Sequence, residues 1–426
     1  MSTGVVGLII LLLCVILFIT NWIPAVATGA LGCILMVLFH VCKLEEAFSG
    51  FSSSIVYLMF GALVVGNAMF ETGTANLIGK QVVRISRNNE RLFLFLSGLT
   101  AGILAMFLAN TAVIAAFLPI IDSVCDTSDN MNRKNLTLNI AICAMLGGSC
   151  TLIGCTPQLT ANALLKEATG MEFSMFTMFA PGICFLIIYL ICTQLFGYTL
   201  GRRIWGKRPD EAMKLDNKYS VDLTAQIYDR KKIITMFLIL SFMILFYVTE
   251  WLSTAMTAMC AAMLCVLTGC TSVKKIKAHM DWDTVFFLAF CLGLANALNA
   301  GSSGTIIAEL VSSFLGSHHS LMVVYGGLCL LTLIISNFIT NSTAIIIVLP
   351  IGLSISNLLG MNPMTVCLGI YFAASLACST PLSAAQITMT LAAGYRFSDY
   401  VVYTLPHAVI LFVAFLIFIP LFFPLV

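Results

Sequence analysis

Apolar runs long enough to cross a bilayer follow one another along almost the whole chain, and no other feature limits the fold so strongly. Crossing about 30 Å of hydrocarbon takes roughly 20 apolar residues in a helix. Such runs fall at about 4–21, 23–42, 53–71, 138–168, 174–199, 232–249, 252–270, 283–300, 363–393 and 400–424. Two further stretches, about 92–125 and 320–359, are too long for one pass and carry a small-polar break at mid-length. Each reads as a hairpin that enters the membrane and leaves on the same side. Charged residues make up 9% of the chain and hydrophobic ones 60%, against about 25% charged in soluble domains. That balance excludes a soluble enzyme, a nucleic-acid binder and a disordered protein. The expected class is an all-α polytopic protein, multi-pass in the cell (plasma) membrane, with the lipid bilayer as partner and no nucleic acid.

Sixteen cysteines do not form a disulfide framework in this reading. They stand singly in apolar runs, as at Cys14, Cys33, Cys184, Cys192, Cys291 and Cys329, and no CxxC pair occurs. Cysteine there acts as a small buried apolar residue. Met1-Ser2-Thr3-Gly4 supplies no basic region, and no small-residue cleavage site precedes Pro24. Val5–Thr20 is therefore expected to be a retained membrane helix.

The chain repeats itself. At an offset of 229, Thr20-Asn21-Trp22 matches Thr249-Glu250-Trp251, Thr28 matches Thr257, Val56 matches Val285 and Asn67-Ala68 matches Asn296-Ala297. The hairpins match at 231, Asn110 with Asn341 and Leu118-Pro119-Ile120 with Leu349-Pro350-Ile351. Beyond them the offset is 224, Thr156-Pro157 with Thr380-Pro381, Gly170 with Gly394 and Phe173-Ser174 with Phe397-Ser398. A near-constant offset along the chain indicates an internal duplication.

Whether the halves are parallel or inverted turns on two amphipathic stretches, about 72–90 and 301–318. If both lie in the interface, ten segments span and the halves are inverted; if both span, twelve do and the halves are parallel. Lys and Arg cluster at 80–91, 133–134, 202–232 and 274–277, which places those regions in the cytoplasm. Ten spans leave Lys43 and Lys166 outside; twelve leave Lys166 and Arg396. The charge rule fits either. Charge-bearing amphipathic helices prefer the interface, and inverted repeats around a midplane site are a transporter device. Ten spans with both termini outside are preferred, each repeat having about five spans plus one re-entrant hairpin.

The informative residues sit at the breaks. The first hairpin is expected to turn at Ala109-Asn110-Thr111 and the second at Thr340-Asn341-Ser342-Thr343. Two spanning helices are interrupted at Gly154-Cys155-Thr156-Pro157 and Cys378-Ser379-Thr380-Pro381. Unwound backbone at membrane depth persists only where it lines a cavity or binds something, and proline accounts for part of each break. Four related breaks imply one shared midplane site. Half-helix N-termini favour an anion, Asn, Ser and Thr add neutral donors, and unwound carbonyls suit a small cation such as Na⁺. No Lys or Arg lies in these segments. Asn110 or Asn341 alone would be packing glue between helices; their pairing at equivalent turns argues for a site.

Other polar residues have simpler readings. Cys155 and Cys378 fill space, and His318 and His319 fall in a loop. His40 and His407 lie in membrane segments. Trp22, Trp251 and Trp282 anchor segment ends at the interface. Glu71 and Asp122 can reach the interface from segment ends. An intramembrane hydrolase would need a nucleophile with a base, or metal ligands. No Gly-x-Ser-x-Gly, HExxH or paired intramembrane Asp occurs, so no enzyme and no cofactor are expected.

At these same residues the sequence resembles the divalent anion:sodium symporters, a family of the ion transporter superfamily. Ala109-Asn110-Thr111 before Pro119 and Thr340-Asn341-Ser342 before Pro350 are similar to its paired Ser-Asn-Thr tips. The segment Gly147 to Gln158 resembles its glycine-rich GG..T.IGTPPN stretch, Asp281-Trp282-Asp283 its second scaffold start, and Gly394 to Tyr400 its C-terminal signature. The resemblance covers essentially the whole chain. It implies an elevator-type homodimer carrying dicarboxylates, tricarboxylates or, in some branches, sulfate, usually with Na⁺ as coupling ion. The implied units are scaffold helices at 1–71, an arm at 72–90, a transport domain at 91–200, a linker at 201–231, scaffold at 232–300, an arm at 301–318 and transport domain at 319–426. Carried over by position, Asn110, Thr111, Asn341 and Ser342 contact the substrate, with Thr343, Thr156, Pro157, Thr380 and Pro381 beside them. By the same resemblance, Na⁺ is expected around Ala109, Asn110, Gly154, Ser336, Thr340, Asn341 and Ser379.

Four positions depart from the family's pattern. Ala109 replaces a serine of the family, and Ala105 one turn earlier lacks a hydroxyl, whereas Ser336 and Thr340 keep both. Residues four apart share a helix face, so the second tip is expected to offer two hydroxyl oxygens and the first none. Gln158 replaces the family's Asn, and Leu382 lacks it altogether. The expected function is secondary active transport of small organic anions, probed first as Na⁺ symport. The alternatives are H⁺ coupling, anion exchange, sulfate transport or an arsenite or Na⁺/H⁺ antiporter-like relative.

Overall fold

A computed structural model describes residues 3–20, 22–73, 89–127, 131–206, 230–249, 251–300, 320–381 and 383–426. The proposed arms and most of the proposed linker lie outside these residues. The described residues contain helices and no strand. In chain order the helices are α1 (Thr3–Thr20), α2 (Ala25–Leu38), α3 (Leu44–Ala47), α4 (Ser54–Glu71), α5 (Glu90–Ala105), α6 (Asn110–Thr127), α7 (Arg133–Gly148), α8 (Thr156–Thr169), α9 (Phe179–Cys192) and α10 (Tyr198–Trp205). The second half holds α11 (Arg230–Thr249), α12 (Thr254–Leu267), α13 (Val273–His279), α14 (Trp282–Ala300), α15 (Leu321–Ser336), α16 (Asn341–Leu359), α17 (Pro363–Ser375), α18 (Ala385–Met389) and α19 (Phe397–Phe422).

Polar caps mark where the apolar runs begin. Asn89 caps α5 through the Leu92 amide, Asn132 caps α7 through Asn135, and Asn362 caps α17 through Met364. Each satisfies one of the orphan donors that a helix start leaves. Asn132 and Asn362 cap equivalent helices, those that follow the two hairpins.

The duplication is visible in the packing. Helix α2 packs on α14, and α12, the counterpart of α2, packs on α4, the counterpart of α14. The same pairs of positions carry both crossings. A Cβ on Gly29 would meet Phe290 Cβ at 3.0 Å, and a Cβ on Gly61 would meet the Ala258 carbonyl carbon at 2.6 Å. Gly29 and Ala258 are equivalent at the 229 offset, as are Gly61 and Phe290. Small residues let the backbones approach, which is what drives helix association in lipid. The exchange extends to the second group of helices, where α16 packs on α8 and α6 packs on α18.

Some expectations need adjusting. By length and composition, four described helices can cross a membrane, Phe179–Trp205, Arg230–Thr249, Asn341–Leu359 and Phe397–Phe422, or five if α13 and α14, bent by 72°, form one span. The apolar stretches of the other helices, such as Thr3–Phe18 and Ser54–Met69, run 10–17 residues. The 14-residue α2 rises only about 21 Å, because glycines, prolines and short polar turns divide the apolar runs. Short helices α3 and α13 precede the equivalent helices α4 and α14; both are too polar and brief to register as apolar runs. The run expected at 174–199 instead forms Phe179–Trp205, with a π-helical turn at Thr193–Gly197. His40 stands exposed beyond α2 with φ 55°, outside the helix that was expected to hold it.

The expected snorkelling carboxylates are paired. Glu71 meets Lys275 of the other repeat at 3.2 Å, and Asp122 meets Arg133 at 2.7 Å. At the base of the first hairpin, buried Glu90 accepts from Arg202 Nε at 2.7 Å and from the Asn132 amide at 3.1 Å.

Candidate functional site

Both hairpins turn where the small-polar breaks fall. Helix α5 stops at Ala105 and α6 begins at Asn110; α15 stops at Ser336 and α16 begins at Asn341. The helix interruptions are equally plain, 149–155 between α7 and α8, and 376–384 between α17 and α18.

In the first repeat, tip and break share one cavity. Phe107 and Ala109 from the tip, Gly154, Cys155 and Thr156 from the break, and Met59, Ala62 and Leu63 of α4 line one small cleft. Asn110 sits at the edge of this region, 4% exposed. Neither end of its carboxamide makes a protein hydrogen bond of good geometry among the described residues. A Cβ on Gly148 would meet Asn110 Oδ1 at 2.3 Å, so only glycine admits this amide. Thr156 opens α8 with Pro157 in its first turn, and Cys155 caps it with no side-chain bond. Ala109 before α6 has no polar side chain to cap with. Helix starts left open in this way favour an anion.

The unwound link of this repeat is held by Gln158. Its Nε2 donates to the Gly148 carbonyl at 2.8 Å and to the Thr151 carbonyl. Its Oε1 accepts from Tyr371 of the second repeat and from the Cys155 thiol, both at 2.7 Å. All the bonding capacity of this fully buried amide is thereby used. Thr151 in turn donates to the Met106 carbonyl of the tip.

The second repeat is closed differently. Oriented as its surroundings satisfy it, the Asn341 amide nitrogen faces the Ser383 and Ala374 carbonyls at 2.8 and 3.3 Å and Ser336 Oγ at 2.9 Å. Its backbone N–H donates to Ser383 at 3.2 Å. The Ser379 amide donates to Asn337 Oδ1 at 3.1 Å, and the Thr380 hydroxyl to the Asn337 carbonyl. Thr340 Oγ1 accepts from the Thr343 amide at 3.4 Å, capping α16. Here the tip is tied to the break by its own side chains.

The sequence profile of the citrate transporter family, CitMHS, matches residues 15–324 and 246–426. The chain belongs to the citrate transporter family. Uncharacterized transporter sll0640 of Synechocystis sp. is 26% identical over 184 residues, 43% of this chain and 30% of that protein, so the match spans under a third of that relative. The sodium-dependent dicarboxylate transporter SdcS of Staphylococcus saprophyticus is 22% identical over 397 residues, 86% of this chain and 75% of that protein. The fold is similar to the crystal structure of the YdaH transporter of Alcanivorax borkumensis, described as having an unusual topology. The TM-score is 0.65 at 13% identity, over 90% of this chain and 88% of that one. This member of the citrate transporter family is a multi-pass membrane transporter, not an enzyme.

Within this citrate transporter family member, the structure brings Ala109, Gly154 and Thr156 to one cavity, with Asn110 beside it and Thr111 and Pro157 half-buried in the adjoining first turns. Ser336, Asn341, Ser379 and Thr380 form the second cluster. Ser342 and Thr343 are buried in the first turn of α16, and Pro381 is half-buried in the break. One expectation is corrected. Ser336 and Thr340 do not present two hydroxyls on one helix face, because α15 ends at Ser336 and Thr340 is extended. Ser336 Oγ donates to the Ala374 carbonyl at 3.1 Å while Thr340 turns to Thr343. Sequence reasoning missed Asn337 and Tyr371. Asn337 aligns with Met106 and so left no trace in the repeat; Tyr371 stands in an apolar run. Cys155, read as a space-filler, lines the cavity and donates to Gln158.

Proposed function

We propose that the protein is a secondary active transporter of small dicarboxylate-like anions driven by Na⁺. The observation that carries this reading is the carboxamide of Asn110. Leaving a buried amide without partners costs about 1–3 kcal/mol, and such groups call for an explanation. Here the amide stands beside a cavity and two uncapped helix starts, a set of neutral donors and dipoles suited to an anion. No cationic side chain lines the cavity, so the bound charge can leave again, as turnover requires.

The cavity lies between α4 and the tip, at the seam between two groups of helices. In this proposal α1–α4 and α11–α14 are the scaffold. The hairpins and the helices after them move as the transport domain, carrying the anion across in an elevator motion. The reciprocal crossings Gly29–Phe290 and Gly61–Ala258 support a two-fold relation of the repeats, proposed here to be inverted. SdcS, a sodium-dependent dicarboxylate transporter matched along most of this chain, supports the choice of substrate and coupling ion.

Counterflow into proteoliposomes preloaded with succinate, malate, fumarate, citrate or sulfate, each with and without Na⁺, tests the proposal. Exchange of labelled dicarboxylate only with dicarboxylate inside is expected. Counterflow with none of the five anions would refute the substrate class.

A further inference from the structure

Both repeats bring carbonyl oxygens of a tip and an unwound link together, the setting in which a transported cation is held. In the first repeat three of those carbonyls are already occupied. Gly148 and Thr151 both accept from Gln158 Nε2, and Met106 accepts from Thr151 Oγ1. Residues 105 and 109 are alanines and add no hydroxyl oxygen at the tip. The opposite end of the Gln158 amide is fixed by Tyr371 and Cys155 at 2.7 Å each, so its NH₂ group cannot rotate away without breaking four bonds. A hydrogen-bond donor carries partial positive charge, and one held against two carbonyls occupies both the space and the electrostatic role of a small cation. Asn110 is not needed to bridge tip and link; its amide lies against the Cys155 thiol and makes no protein hydrogen bond of good geometry among the described residues. In the second repeat no glutamine stands at the equivalent position, and Asn341 itself makes the bridge.

We infer that the amide of Gln158 is a built-in replacement for a cation at the first tip, so that this repeat binds no Na⁺ and its Asn110 serves the anion alone. The inference rests on the anion site proposed above and limits the coupling ion to the second repeat. Gln158 acts as a positioning residue: it touches the link carbonyls and not the substrate.

Cys155 reports on this tip directly. In protein that keeps Cys155 as its only cysteine, alkylation by N-ethylmaleimide is measured in detergent with choline, with Na⁺ and with succinate. Saturating Na⁺ without substrate is expected to change the rate less than about twofold, and succinate to slow it about tenfold. Na⁺ activation of uptake is expected to follow a Hill coefficient of about 1, since that coefficient is bounded by the number of sites. Strong protection of Cys155 by Na⁺ alone would overturn the inference, as would a Hill coefficient of about 2. Uptake that ignores Na⁺ would refute the coupling proposed above without touching the inference, which the Cys155 rates decide independently. Gln158→Glu places a carboxylate oxygen against the Gly148 and Thr151 carbonyls, a repulsion that a cation between them relieves. Its thermal stability at pH 8 is expected to rise with Na⁺; indifference to Na⁺ there would count against the inference. If that variant does not reach the membrane, the rates in the Cys155-only protein decide.

Discussion

The hydroxyl of Tyr371 donates to Gln158 Oε1 at 2.7 Å, joining α17 of the second repeat to the start of α8 in the first. The bond lies within the second group of helices, where the breaks interlock, and it fixes which way the Gln158 amide faces. Tyr371→Phe keeps the ring and removes the bond. The expected cost is about 1 kcal/mol, read as a fall of a few degrees in thermal stability in detergent. A variant as stable as the unmodified protein would show that the bond does not hold the link.

The two tip asparagines are expected to differ although they are repeat equivalents. Asn110 makes no protein hydrogen bond of good geometry, while Asn341 bridges Ser336, Ala374 and Ser383. Asn110→Ala should leave thermal stability intact and lower transport at least tenfold, the loss of about 1.5–3 kcal/mol expected for a hydrogen bond to a charged group. Asn341→Ala should lower both. Fluorescence-detected thermal denaturation alongside uptake separates the two. Equal stability losses in both variants would return Asn110 to a packing role.

The orientation of the repeats can be read from Glu45 and Lys274, equivalent at the 229 offset and exposed on α3 and α13. An inverted repeat puts Glu45 outside and Lys274 in the cytoplasm; a parallel one puts both in the cytoplasm. Single cysteines at the two positions, in a cysteine-free background, should differ in labelling by an impermeant thiol reagent applied to whole cells. Labelling from one face alone would reject the ten-span arrangement.

Much of this molecule was legible in the sequence because lipid imposes simple rules. Apolar runs and small-polar breaks located both hairpins and both interrupted helices, since unwound backbone at that depth needs polar or glycine residues. The offset between Asn110 and Asn341 revealed the duplication for the same reason. What the repeat could not show is how the halves diverged. Asn337 and Gln158 each close one tip, but neither has a counterpart at the equivalent position, Met106 or Leu382. Ser336 and Thr340 do not share a face although they are four apart, because the helix ends between them. Tyr371 escaped notice because its partner is 213 residues away, a separation that no local pattern encodes.

Na⁺-driven transport of an anion bound beside Asn110 is read from labelled succinate in proteoliposomes with equal internal and external succinate and an inward Na⁺ gradient. Saturable accumulation above the equilibrium level is expected, abolished by dissipating the Na⁺ gradient and reduced at least tenfold in Asn110→Ala. Uptake that only equilibrates, or that accumulates equally with choline in place of Na⁺, would contradict it.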